Sequence, residues 1–139
     1  MLTLPPLVEE FLKKPNGAVI ACIRPDGYPM TVVTWYDWED GRILVNMNEI
    51  RARISWMRVN PKASLTVFDS DWYRHVSLFG RVVTMQEDAG LVDIDRLSRR
   101  YTGKPFGDRK ANRVSAWIEP VGWHGWDETG VLSGPSRPA

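Results

Sequence analysis

The sequence predicts a mainly β domain with helices: a small antiparallel barrel of six strands with two main helices inserted between them. Three observations carry this. Short runs rich in β-branched and aromatic residues recur along the chain. Turn signals such as Pro25-Asp26-Gly27 and Glu39-Asp40-Gly41 separate the first of them. The runs are also too short and too closely spaced for a doubly wound parallel sheet.

The elements follow in order. Residues 7–13 read as a short helix that ends at Pro15-Asn16-Gly17. Residues 18–23 form an apolar first strand, and residues 28–38 a longer second one. Residues 42–46 make the third, which completes a meander. The period then changes: Ile50, Ile54 and Met57 fall on one helical stripe, with Asn48 as the expected N-cap and Asn60-Pro61 as the stop. Residues 63–68 are the fourth strand. Residues 73–86 are a long fifth strand with a bulge expected at Gly80. A second main helix spans 88–101 and stops at Gly103. A polar loop leads into a last strand over 113–119. We expect one domain over residues 1–126 and a loose tail over 127–139.

Composition narrows the function. A chain of 139 residues suits one domain with its own core. A net charge of +1 gives no global field towards nucleic acid or a membrane, so any anion site must be local. No basic–aromatic stripe suggests a nucleic-acid partner either. Cys22 is the only cysteine, so no internal disulfide forms, and no Cys/His set has zinc spacing. Residues 1–10 lack the pattern of a secretory signal, and no apolar run reaches membrane-spanning length. A cytoplasmic home is the simplest expectation. Seven tryptophans either fill the core or wall a pocket for a flat ligand.

The segment from Asn46 to Arg53 carries the most information. A strand ends there and a helix begins, and the first turn of a helix offers free N–H groups to anions. Arg51 and Arg53 add planar forks of donors suited to phosphate. They stand where the helix dipole favours acids, and that conflict marks a candidate site. Two plainer roles remain open: solvation of an exposed turn, or pairing with Glu49. His75 is either a proton donor or a strand residue packed on a neighbour. His124, within Gly122-Trp123-His124-Gly125-Trp126, marks a pocket rim or a packing contact. No nucleophile motif, P-loop or dinucleotide fingerprint occurs, so any redox chemistry would come from a bound cofactor. Only one good basic cluster is found; Arg109, Lys110 and Arg113 make an unconvincing second.

Several motifs, taken together in order, resemble the flavin- and deazaflavin-binding superfamily related to pyridoxamine 5'-phosphate oxidase. They are residues 23–29 with their Arg24-Pro25-Asp26-Gly27 turn, Arg51-Ala52-Arg53-Ile54, Gly80-Arg81-Val82, and Arg100-Tyr101-Thr102-Gly103. The likeness runs over residues 7–125 and is nearest to the oxidoreductases of actinobacteria that use coenzyme F420. It implies a six-stranded split β-barrel that works as a homodimer, with two cofactors in grooves between subunits. Arg51 and Arg53, flanking Ala52, would hold the cofactor phosphate. Met30, Thr31, Val32 and Val33 would run along the ring and ribityl chain. Asn46 and Met47 would touch the cofactor, and Tyr73 and His75 would approach from the partner subunit. Met47 replaces a small hydroxyl residue common in relatives, Trp56 replaces Asn, and Arg53 replaces Lys. The implied activity is hydride transfer from reduced F420 to a small apolar or aromatic acceptor. The alternatives are an FMN-dependent oxidase or reductase, or a non-catalytic carrier of flavin, F420 or haem. Trp35, Tyr36, Trp38, Trp123 and Trp126 suggest a roomy apolar acceptor pocket.

Overall fold

The structure, a computed structural model, describes residues 2–135. Its elements are α1 (Pro6–Lys13), β1 (Gly17–Ile23), β2 (Pro29–Thr34), β3 (Asp37–Glu39), β4 (Arg42–Asn48), α2 (Ala52–Val59), β5 (Lys62–Phe68), β6 (His75–Glu87), α3 (Val92–Thr102) and β7 (Arg113–Trp126). The strands form one antiparallel sheet of seven in the order β2-β1-β5-β6-β7-β4-β3.

Six strands were expected, and the seventh comes from a break. The single strand expected over 28–38 parts at Trp35-Tyr36, so β2 pairs with β1 at one edge of the sheet and β3 with β4 at the other. The cause is Tyr36. Its ring is fully buried, and its hydroxyl donates to the carbonyls of Leu12 at 2.7 Å and Lys14 at 3.1 Å. Its own carbonyl accepts from Arg100 Nε at 2.9 Å, and its N–H donates to the Tyr101 hydroxyl at 3.4 Å. Both backbone groups are satisfied by α3, so no sheet ladder is needed there.

The sheet is not closed by hydrogen bonds. Its two edges are nevertheless tied by Trp35 and Tyr36 alone. Three peptide steps reach at most roughly 11 Å, so the edges must approach one another. The sheet therefore rolls into a barrel left open along one seam. Alternate residues of β1, β5 and β6 point inward, among them Ile20, Cys22, Leu65, Val67, Val76 and Leu78. The helix α1 packs Val8, Phe11 and Leu12 onto the same core.

Three local readings are corrected. The stripe of α2 begins at Ile54, because Ile50 lies in the preceding turn and is exposed. Asn48 is not the N-cap; its Oδ1 accepts from the N–H of Ile50 at 3.1 Å, and Arg51 occupies the cap position. Finally, β7 runs on to Trp126 past the expected end at 119. Pro120 is tolerated because it sits opposite Gly80, where the register shifts. A Cβ on Gly80 would lie 2.1 Å from the Glu119 carbonyl oxygen, which explains the glycine. Beyond β7 the chain folds back: Asp127 accepts from the N–H of Leu132 at 3.2 Å, and Gly134 bridges to Gly125. Residues 136–139 of the expected tail lie outside the described residues.

Candidate functional site

A cavity of about 610 Å³ opens at the barrel seam. The ends of β2 and β4, the start of α2, and α3 converge on it, and Arg51, Arg53 and Arg113 all line it. Among the described residues no acidic side chain does. Among the described residues none of these three arginines forms an ion pair. Burial lowers the pKa of Arg53, Cys22 opposes the shift, and Arg51 adds to it. Burial likewise lowers that of Arg113, with Asp108 and Asp88 opposing and Arg51 adding. Arg51 is thus within electrostatic reach of both. Three like charges sharing one cavity repel each other until an anion joins them.

Arg53 supplies a direct test of fit. Its Nε is buried and has no hydrogen-bond partner among the described residues. Buried donors are rarely left unpaired, and a charged one is costly. The first turn of α2 carries no acid and no side-chain cap, so its positive end also faces outward unneutralised. Glu49 does not relieve it; it accepts from Asn112 Nδ2 at 3.4 Å and is not paired with Arg51. These features suit a bound phosphate.

The opposite wall is aromatic. Trp35 stacks on Tyr101 with centroids 5.5 Å apart and planes 7° apart, and Phe106 meets Trp35 edge-on at 6.2 Å. Such a wall suits a flat ring. Tyr101 is held by donating from its hydroxyl to the Asn16 carbonyl at 2.7 Å. Phe106 is held by Asp95, which accepts from its N–H at 2.9 Å and from Arg109 at 2.6 Å. Those bonds keep the Asp95 carboxyl below its ordinary pKa, with Arg109 the larger cause.

The structure separates the expected site residues. Val33, Asn46, Met47, Arg51 and Arg53 line the seam cavity. Met30, Thr31, Val32 and Ala52 do not line it within one chain. His75 lines a second cavity of about 570 Å³ with Thr66, Phe68, Trp72 and Ser77. Phe68 is the wall common to both. His75 Nδ1 lies 2.6 Å from the Tyr73 carbonyl, so it carries the proton and leaves Nε2 as the free ring nitrogen. The ring of Tyr73 packs on Trp126, and that of His75 lies 5.8 Å from His124.

One expectation is corrected and another refined. Of the five aromatic residues expected to wall a pocket, only Trp35 reaches the seam cavity; Tyr36 and Trp38 are core residues. Arg109, Lys110 and Arg113 do not form a second basic cluster. Arg109 is committed to Asp95, whereas Arg113 joins Arg51 and Arg53. Sequence reasoning also missed Tyr101 and Phe106. Tyr101 was visible only as part of a helix-ending motif, and Phe106 lay in a loop without periodicity.

The sequence profile of the pyridoxamine 5'-phosphate oxidase family matches residues 4–127. No curated protein matches the chain. Among solved structures, an F420 reductase superposes with a TM-score of 0.78 at 26% identity, over 86% of this chain and 98% of that one. A conserved hypothetical protein of Mycobacterium tuberculosis gives 0.70 at 24% identity, over 100% and 94%. A FAD-binding protein of Mesorhizobium loti gives 0.62 at 23%, over 86% and 92%. The last two likenesses concern the fold alone.

Proposed function

We propose, for a chain that belongs to the pyridoxamine 5'-phosphate oxidase family, an oxidoreductase that uses reduced coenzyme F420 to transfer a hydride to a small apolar or aromatic acceptor. The observation that carries it is the orphaned, buried Arg53 Nε in a cavity with two more arginines and no acid. Similarity to an F420 reductase supports the choice of cofactor. The cofactor supplies the hydride chemistry; the protein binds, orients and excludes water.

In this reading Arg51 and Arg53, around Ala52, grip the phosphate. The Trp35–Tyr101 stack and Met47 bound the space beside the ring. Met30, Thr31, Val32 and Val33 border the ring and ribityl chain. β2 is an edge strand with little burial on either face, and Val33 is 76% exposed. Trp72 and Tyr73 are 80% and 77% exposed. Apolar surface of this kind calls for a partner, and we assign it to a second copy of the chain. A homodimer would bring Tyr73 and His75 across to the neighbouring cavity. There His75 would offer its Nε2 for hydrogen bonding. A single-chain mass by light scattering would contradict the dimer.

FMN in the same cavity is the second reading, favoured by family membership and by the same phosphate contacts. Titration of the purified protein with F420 and with FMN, followed by cofactor fluorescence, separates them. Micromolar affinity for F420 is expected. Micromolar binding of FMN with none of F420 overturns the first reading.

A further inference from the structure

We infer that Arg113 is the third arm of the anion site, and that Asn46 is the residue that positions it, fixed from behind by Asp88 and Ser115. The inference rests on the phosphate-site reading above and gives Asn46 a task other than touching the cofactor.

Arg113 opens β7, pairs with Asn48 of β4 and lines the seam cavity. Its Nε donates to Asn46 Oδ1 at 2.7 Å. Its guanidinium carbon lies 4.7 Å from the Phe106 ring centroid. No hydrogen bond or ion pair engages its terminal nitrogens among the described residues. The outer edge of the fork is therefore left for an oxyanion, which it matches in shape.

The orientation of Asn46 follows from its neighbours. Nδ2 donates to Asp88 Oδ2 and to Ser115 Oγ, both at 3.1 Å. A carboxylate only accepts and a guanidinium only donates. The amide can thus stand only one way, with Nδ2 towards Asp88 and Oδ1 towards Arg113. Asp88 cannot swing round to pair with Arg113 itself. It is buried and accepts from the N–H groups of Asp93 and Ile94, each at 2.9 Å. Ser115 donates its hydroxyl to Asp93 Oδ2 at 2.6 Å, which leaves its oxygen to accept from Asn46. The result is a directed chain from the start of α3 through Asp88 and Asn46 to Arg113. Asn is the fitting residue type at position 46. It holds the guanidinium without neutralising it, whereas a carboxylate there would cancel the charge the site needs.

The test is the affinity for inorganic phosphate, measured by isothermal titration calorimetry on the full chain. Arg113→Gln should weaken binding about tenfold, the scale of one charge-assisted contact. Asn46→Ala should weaken it several-fold. The double variant should bind no worse than Arg113→Gln alone, because Asn46 acts through Arg113. Additive losses, or an unaffected Arg113→Gln, overturn the inference. Should Asn46→Ala melt too low to titrate, Arg113→Lys decides. It keeps the charge but lacks the Nε fork, so it should bind several-fold more weakly, and wild-type affinity refutes the inference. Arg53→Gln is the control. If it weakens phosphate binding while Arg113→Gln does not, this inference alone fails; if neither does, the phosphate-site reading fails too.

Discussion

Replacing Arg100 by Ala removes the clamp that holds α1, the Trp35-Tyr36 corner and α3 together. The guanidinium donates to the carbonyls of Tyr36 at 2.9 Å, Lys13 at 2.6 Å, Leu12 at 3.2 Å and Lys14 at 2.7 Å. It also lies 5.0 Å from the Tyr36 ring centroid and 5.7 Å from that of Tyr101. Not all of this is lost on substitution. The Tyr36 hydroxyl still serves Leu12 and Lys14, and the Lys13 carbonyl faces water. The Tyr36 carbonyl loses its partner, and the ring contacts vanish. A bond from a charged donor is worth ~1.5–3 kcal/mol, and a cation over an aromatic ring ~0.5–2 kcal/mol. We expect a loss of about 3 kcal/mol, or a drop in Tm of about 10 °C for a domain of this size. Urea and thermal unfolding read it directly. The comparison is Arg96→Ala, which breaks partly exposed pairs with Asp37 and Glu39 and should cost no more than ~1 kcal/mol, since Asp37 keeps Arg100 at 3.4 Å. If Arg100→Ala is no more damaging than Arg96→Ala, the clamp argument is refuted.

Two further outcomes follow from ionisation. Burial, reinforced by Tyr101 and opposed by Arg100, holds the Tyr36 phenol well above its ordinary pKa; Tyr101 is raised as well, chiefly by burial. A raised folded-state pKa stabilises the fold below the unfolded value of about 10 and is lost as pH climbs past it. Unfolding free energy should therefore fall above about pH 10, and less steeply in Tyr36→Phe; equal slopes in the two proteins count against this. Asp95 is the opposite case, its pKa lowered by Arg109 and then by the Phe106 N–H. Its contribution is present above the ordinary carboxylate value and disappears as pH falls through the lower folded one. Asp95→Asn should speed amide exchange across residues 103–112, and unchanged protection there would show that Asp95 does not hold the loop.

Much of the fold was legible because local chemistry and tertiary structure agree. The Gly27 turn, the Asn60-Pro61 stop, the Gly80 bulge and the Gly103 cap each need their residue type for a local reason. Failures came where distant contacts overrode local signals. No Gly or Pro marks the break at Trp35-Tyr36; α1 and α3 impose it through Tyr36. Pro120 and Gly122 disguised the second half of β7, although an irregular register and the ring of Phe79 over Gly122 accommodate both. For the site, Arg51 and Arg53 stood out because they contradict the dipole of their own helix. Arg113 contradicts nothing locally. Only the pairing of β4 with β7, which sets Asn48 opposite Arg113 and Asn46 opposite Ser115, brings it to the cavity.

The corner between β2 and β3 also sets a mechanical limit. In most sheet clefts, opening is opposed by energy, and enough binding energy widens them. Here the two lips of the seam are joined by a fixed length of covalent chain, so the opening has a hard stop. The thickness of what enters is gauged by the number of residues at 35–36 as well as by the Trp35 ring that lines the cavity. Lengthening that corner by a glycine or two would change the admissible ligand without altering a single contact residue.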